Sequence, residues 1–331
     1  MSFTIDVHHH ILPDVFYRAT NDAHNPVGGI KPPPWSKEAM LSYMDDAGID
    51  VAITSISTPG VHMGDDTAAR DLAQRVNELS ADLIKSRPDR LGGFAALPLP
   101  DVDGALRELE YALDVLKLDG LVLFSNARGI YLGDDRFRPL FDELERREAV
   151  VFVHPTASTD SSARGLGLPD TLIDFTADTT RAIAQMHYRN VFARTPNVKY
   201  IFSHGGGTMP FLAKRLSIVD EMGVMPGADE RGTIADTFRR LYWDTALSWS
   251  PANLEMLRSV AGMSQVLFGS DFPYLRRDLA VNCRGEVEAS PALSAAESQA
   301  VMSGNAMRLF PRLAVGGTAE GSVRRELERL P

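Results

Sequence analysis

Eight short apolar runs, each followed by a segment of helical period, limit what this chain can fold into. They are "FTIDVHHH" from position 3, "VAITSIS" from 51, "LGGFAALP" from 91, "GLVLFSN" from 120, "VVFVHPT" from 150, "VKYIFSHGGG" from 198, "LYWDTALS" from 241 and "QVLFGSDFPY" from 265. Runs of this length rich in β-branched and aromatic residues read as buried strands. The segments between them carry apolar stripes, such as Leu72, Val76, Leu79 and Leu83, or Phe137, Leu140, Phe141 and Leu144, and each stripe predicts a helix with one buried face. Alternating strands and helices imply a parallel sheet covered by helices. Eight such units predict a (β/α)8 barrel rather than an open doubly wound sheet, whose first turn would carry a G-x-G-x-x-G that is absent here. The expected barrel spans 1–310, with insertions at 12–35 and 157–172 too long for plain strand-to-helix loops, and 311–331 as a tail or interface helix.

The reactive side chains fall at one end of these predicted strands. His8 and His10 close the first, His154 the fifth, His204 the sixth and Asp271 the eighth. In a barrel of this type all C-terminal strand ends meet at one mouth, where active sites lie. Strand alternation divides the three consecutive histidines: His8 and His10 face the same way, while His9 faces the helices, where a neutral imidazole can bond a backbone group. His8, His10, His154 and Asp271 make a nitrogen-rich and oxygen-containing donor set without thiolate, suited to zinc, manganese or iron, with a position left for water or substrate. His204 then stands beside the metal as acid or base, and Gly205 to Gly207 leave room for a substrate or loop to approach.

Other readings of these residues are weaker. "HGGG" occurs as an oxyanion-hole segment in serine hydrolases, but the G-x-S-x-G elbow that this requires is missing. His24 and His62 fall in predicted loops, and His187 in mid-helix reads as structural. Asp244, at the end of the seventh strand, fits either an acceptor for a ligating histidine or a partner for a backbone amide. Asp178 and Arg181 open a helix, where a cap or ion pair competes with substrate contact. Trp35, His62, Asn126 and Arg128 are the expected substrate-binding residues on the mouth loops.

Taken in order, D-x-H-x-H, "VFVHPT", "FSHGGG" and "LFGSDFPY" resemble the amidohydrolase-related decarboxylases typified by aminocarboxymuconate semialdehyde decarboxylase. Within that group the chain is most similar to the salicylate-type enzymes, including those for 6-methylsalicylate. The resemblance extends to "RPDRLGGFAALPLPDVDGALRELEYAL" and "YLGDDRFRPLFDEL" and covers the chain to about residue 310. It implies His8, His10, His154 and Asp271 around one divalent metal, His204 as the nearby catalytic histidine, and a homodimer. Strand four ends Phe124-Ser125-Asn126, without the lysine that bridges two metals in the wider superfamily. Some aromatic-acid decarboxylases carry Glu where this chain has His8, so the metal is zinc first, with manganese as the alternative.

The implied reaction is non-oxidative decarboxylation of a small aromatic or unsaturated carboxylic acid, a 2-hydroxybenzoate such as 6-methylsalicylate foremost. In one route the ring carbon bearing the carboxyl group is protonated before CO2 leaves, with Asp271, supplied by His204, as the expected acid; in the other a metal-bound hydroxide acts, with His204 activating the water. The rival is hydrolysis of an amide or lactone by a metal-activated water; a third reading is a metal-stabilised barrel that binds a ligand without turnover. Composition removes other classes. A formal net charge of -10 and a pI near 5.3 argue against a nucleic-acid footprint, and no apolar run approaches the roughly 20 residues that cross a bilayer. With Cys283 as the single cysteine and no secretory pattern at the N-terminus, a cytoplasmic location is expected.

Overall fold

The computed structural model describes residues 2–20, 27–157 and 167–314. The expectations for His24, for most of the 157–172 insertion and for the tail past 314 lie outside the described residues. Eight parallel strands form one sheet in sequence order: β1 (Ile5–His10), β2 (Val51–Ser55), β3 (Leu91–Ala96), β4 (Gly120–Phe124), β5 (Val150–His154), β6 (Lys199–Phe202), β7 (Tyr242–Asp244) and β8 (Val266–Leu267). Past β8 the chain keeps running alongside β1. Val7 N–H donates to Phe268 O at 3.0 Å, Asp271 N–H to His8 O at 2.9 Å and His10 N–H to Phe272 O at 2.7 Å, so the ring closes. The expected (β/α)8 barrel is the fold, with all eight strands where the apolar runs predict them.

Helices cover the outside with the predicted stripes inward: Leu72, Val76 and Leu83 of Asp66–Ser86 are buried, as are Leu140, Phe141 and Leu144 of Arg138–Arg146. Side-chain amides complete the attachment. Asn77 donates to Ala96 O at 2.9 Å and accepts from Ala96 N at 2.8 Å, clamping the first of these helices to the end of β3. A two-stranded hairpin, Asn126–Ala127 with Ile130–Tyr131, follows β4 at the barrel mouth.

The register of β1 against β2 slips between Asp6 and His9, so that β1 holds one extra residue there. Such a bulge breaks strict alternation. Without it Asp6 would share a face with His8 and His10; with it, Asp6 turns toward His9 and the far side of the closure. Its buried carboxyl group accepts from His8 N–H (3.0 Å), His9 Nδ1–H (2.8 Å), Ser270 N–H (3.0 Å) and Ser270 Oγ–H (2.5 Å). Four donors from the first strand and the segment after the last thus converge on one acceptor. Asp6→Ala leaves them unpaired in the interior and should lower unfolding stability by about 3 kcal/mol. Chemical denaturation of the two proteins measures this; a loss near zero would show that the closure holds without it.

Candidate metal centre

Five side chains from four strand ends meet at the mouth. His8 Nε2 and His10 Nε2 lie 3.0 Å apart. Asp271 Oδ1 is 3.2 Å from the first and 3.4 Å from the second, and its Oδ2 is 3.5 Å from His204 Nε2. The His154 ring packs edge-on at 4.8 Å from that of His10 and 5.2 Å from that of His8. Donor atoms of His8, His154, His204 and Asp271 all lie within 4.8 Å of one another, and all five residues are buried.

The other ring nitrogens explain the orientation. His8 Nδ1–H donates to Asp244 Oδ2 at 2.7 Å, His154 Nδ1–H donates to the Pro155 carbonyl at 2.7 Å, and His10 Nδ1 pairs with Ser55 Oγ at 3.2 Å. Each commitment turns an Nε2 lone pair toward the centre, the arrangement that ligating histidines need. Two ring nitrogens 3.0 Å apart share either a proton, donated by His8 Nε2–H to His10 Nε2, or a metal ion that replaces it. The donors therefore fit a divalent metal ion, and the four residues whose donor atoms all lie within 4.8 Å of one another include His204 in place of the expected His10. Asp244 fills both roles open to it in the sequence, since its Oδ1 also accepts from His204 N–H at 2.8 Å and Ala246 N–H at 3.0 Å.

Electrostatics follow from burial and neighbours. Burial lowers the pKa of His8, but the carboxylates of Asp244 and Asp271 outweigh it and raise it to about 10. Burial and then the neighbouring imidazoles of His10, His8 and His204 push His154 well below its usual value. Asp271 is raised by burial, yet the surrounding histidines, His8 first, hold it well below the carboxylate range. His154 and Asp271 thus present a neutral imidazole and an ionised carboxylate, the forms that bind metals, while His8 holds a proton that a metal ion would have to displace. His204 and Asp271 both have left-handed backbone, with φ of 54° and 60°. Few residues with side chains adopt that conformation, and those that do gather at functional sites.

Some expectations change. His9 faces outward, stacked on Phe272 with ring centroids 4.6 Å apart, but its partner is the Asp6 carboxylate rather than a backbone group. Asp271 lies four positions past the end of β8, and His204 two past β6, on turns instead of in the strands. The glycines after His204 do not open space for a substrate. A Cβ on Gly206, at φ 75°, would lie 2.1 Å from the Trp243 ring, so this glycine lets the indole pack against the backbone.

A cavity of about 430 Å3 opens over the cluster, reached by His154, His204 and Asp271. None of Trp35, His62, Asn126 and Arg128 lines it. Trp35 packs against the core, and the other three line a neighbouring cavity, because the loop after β2 and the hairpin after β4 stand to one side of the metal residues. Tyr274, Ser57, Phe16 and Phe175 line the metal cavity instead. Tyr274 was readable from its place in "LFGSDFPY"; the rest come from loops whose path no local pattern fixes. Asp178 does not cap its helix: it is buried, lies 3.9 Å from Arg181 in the expected ion pair, and accepts from Asn126 Nδ2 at 2.8 Å and Tyr131 Oη at 2.5 Å.

A family model described as Amidohydrolase matches residues 5–312. The chain belongs to the amidohydrolase family. It is 36% identical over 315 residues to a 6-methylsalicylic acid decarboxylase of Penicillium expansum, covering 93% of this chain and 96% of that protein. To decarboxylase macB of Penicillium terrestre it is 36% identical over 332 residues, covering 96% and 97%. Its fold is similar to the crystal structure of 5-carboxyvanillate decarboxylase LigW from Sphingomonas paucimobilis, with a TM-score of 0.83 at 25% identity over 94% of this chain and 99% of that one. This amidohydrolase therefore groups with the family's carboxy-lyases rather than with its hydrolases.

The ligand geometry has a direct test. His10→Ala should lose bound metal, whereas His9→Ala, although destabilised, should keep it per mole of folded protein. Asp244→Asn should weaken metal affinity about 10- to 100-fold, because His8 loses the acceptor that turns Nε2 inward. Metal analysis after dialysis against graded chelator reads all three, and loss of metal in His9→Ala would refute the facing proposed for β1.

Proposed function

We propose that the protein is a metal-dependent, non-oxidative decarboxylase of a 2-hydroxybenzoate, with 6-methylsalicylate the leading candidate. The observation that carries this reading is the lining of the metal cavity. Phe16, Phe175, Leu12 and Leu247 make apolar walls, and no Lys or Arg is present among the described lining residues. A substrate that fits is small, flat and apolar, and its charge must be met at the metal end. The relatives at 36% identity, one of them a 6-methylsalicylic acid decarboxylase, support the same substrate class.

In this reading His8, His10, His154 and Asp271 would hold the metal, which would supply Lewis-acid binding and charge compensation for the substrate carboxylate. Zinc suits three imidazoles and one carboxylate better than manganese does. The walls fix the ring plane and keep water out. Asp271, ionised at rest, passes to the ring carbon that bears the carboxylate a proton it first takes from His204; the carbon–carbon bond breaks, its electron pair restores the aromatic ring, and CO2 leaves. His204, 3.5 Å from Asp271 Oδ2, reloads that carboxylate with the proton each turnover consumes.

The barrel domain over 1–310 is read as a homodimer. Its support is the helix Met209–Glu221, where Phe211 is 75% and Ile218 43% exposed, with Met222 just beyond at 68%. Apolar side chains repeated on one exposed face suit a second copy. No helix among the described residues is long and apolar enough to cross a membrane, and the buried free thiol of Cys283 suits the cytoplasm. Light scattering should read about twice the chain mass of 36.3 kDa, falling to the monomer in Phe211→Glu; a monomeric parent protein would rule out the dimer.

Incubation of metal-replete protein with a panel of 2-hydroxybenzoates, followed by mass spectrometry of headspace CO2, tests the activity. Release is expected with 6-methylsalicylate, and a loss of 100-fold or more in His204→Ala, on the order of the contribution of a positioned acid or base. Turnover of lactones with no CO2 from any benzoate would sink the lyase reading.

A further inference from the structure

A second cavity of about 340 Å3 lies beside the metal cavity, floored by Leu97, Leu99, Val122, Leu123 and Phe124 and edged by Arg128. Its volume is in the range of small-molecule sites. A thin wall separates the two. Thr58 Oγ1 and Thr156 Oγ1 share a hydrogen bond of 2.7 Å, and the Phe124 ring stands 6.0 Å from that of His154.

Arg128 sits on the turn of the mouth hairpin with φ of 55°, a conformation uncommon for any residue with a side chain. The turn is braced. Asp178, buried under it, accepts from Ser125 Oγ, Asn126 Nδ2 and Tyr131 Oη, while Asn126 Oδ1 accepts from Gly129 N–H at 2.9 Å. The Arg128 side chain itself is exposed, and its guanidinium makes no ion pair or hydrogen bond with any described residue. The other polar lining groups differ: His62 is tied to Asp66 at 2.8 Å, and Asp170 is an anion. The cavity thus offers an apolar floor and one uncommitted cation, carried on a braced hairpin turn and opposed by the single acidic side chain of Asp170.

We propose that this second cavity is a binding site for a small aromatic carboxylate, with its ring on Leu99, Val122 and Phe124 and its carboxylate on the Arg128 guanidinium. The planar fork of a guanidinium matches the two oxygens of a carboxylate. A chain of net charge -10 repels anions at long range, so a local cation at the mouth is what gathers them. As a collecting point for substrate the site rests on the decarboxylase reading; as a binding site it rests on its lining alone.

Calorimetric titration of benzoate into the full-length, metal-replete protein tests this without depending on turnover. One benzoate site should weaken about tenfold or more in Arg128→Gln, the loss of a charge-assisted pair, and disappear in Ala127→Trp, which places an indole in the cavity. Met63→Trp, at a 42% exposed position on the same lining, replaces the latter if it fails to fold. Benzamide, of similar shape but uncharged, should bind no better than benzoate binds to Arg128→Gln. Benzoate binding that responds to neither Arg128→Gln nor a cavity-filling tryptophan overturns the proposal. An Arg128-dependent site in a protein that releases no CO2 would sustain it while removing the decarboxylase reading.

Discussion

The carboxyl group of Asp6 fixes the geometry on which the rest of this molecule depends. A barrel must join its first and last strands, and here the last is short, with Val266–Leu267 alone in regular pairing before the chain turns toward Asp271. Asp6 supplies what backbone pairing lacks, taking both donors of Ser270 and, through the bulge in β1, His9 as well. Ser270 precedes Asp271, and His9 separates His8 from His10. One acceptor therefore sets the distance between the two histidines and the aspartate across the seam. A buried carboxyl group is costly unless its acceptor sites are filled, and all of these donors come from the two segments that must be held together.

The same economy of charge shapes the cavity above. Its described lining contains no Lys or Arg, so nothing in the protein besides the metal end answers an anionic ligand there. Asp244 and Asp271 make that end negative before a cation arrives, and the high pKa of His8 expresses the same field. A divalent ion there would reverse the sign of the floor while leaving the walls apolar, and an arene carboxylate would then gain from Phe16 and Phe175 at its ring and from the metal end at its charge.

Much of this was legible in the sequence, for reasons that differ by element. Eight strands were readable because parallel barrel strands are buried on both faces and show as continuous apolar runs. The metal residues were readable because the fold brings strand ends together whatever their separation in sequence. His8 and His10 were separable from His9 by alternation alone, although the bulge that turns Asp6 away from them left no mark in the pattern. The substrate-facing residues were not readable. Trp35, His62, Asn126 and Arg128 are on mouth loops, as expected, but which side of the mouth a loop covers depends on long-range contacts such as the grip of Asp178 on Asn126 and Tyr131. The glycines after His204 misled in a similar way, since a missing side chain reads as space until the indole of Trp243 is found occupying it.

Three adjacent histidines on one strand are an awkward sequence to fold, since each imidazole brings two polar nitrogens into a barrel wall. The structure gives each ring its own partner by direction. His8, inward, meets Asp244 from β7; His10, inward, meets Ser55 from β2; His9, outward, meets Asp6 from its own strand. In each pairing Nδ1 is the committed nitrogen. For the inward pair this leaves both Nε2 atoms facing one point, where they share a proton that a metal ion could replace. For His9 it leaves Nε2 without a partner among the described residues, against the Phe272 and Tyr43 rings. The strand thus carries two different uses of the same side chain, and the neighbouring strands, not the histidines themselves, decide which is which.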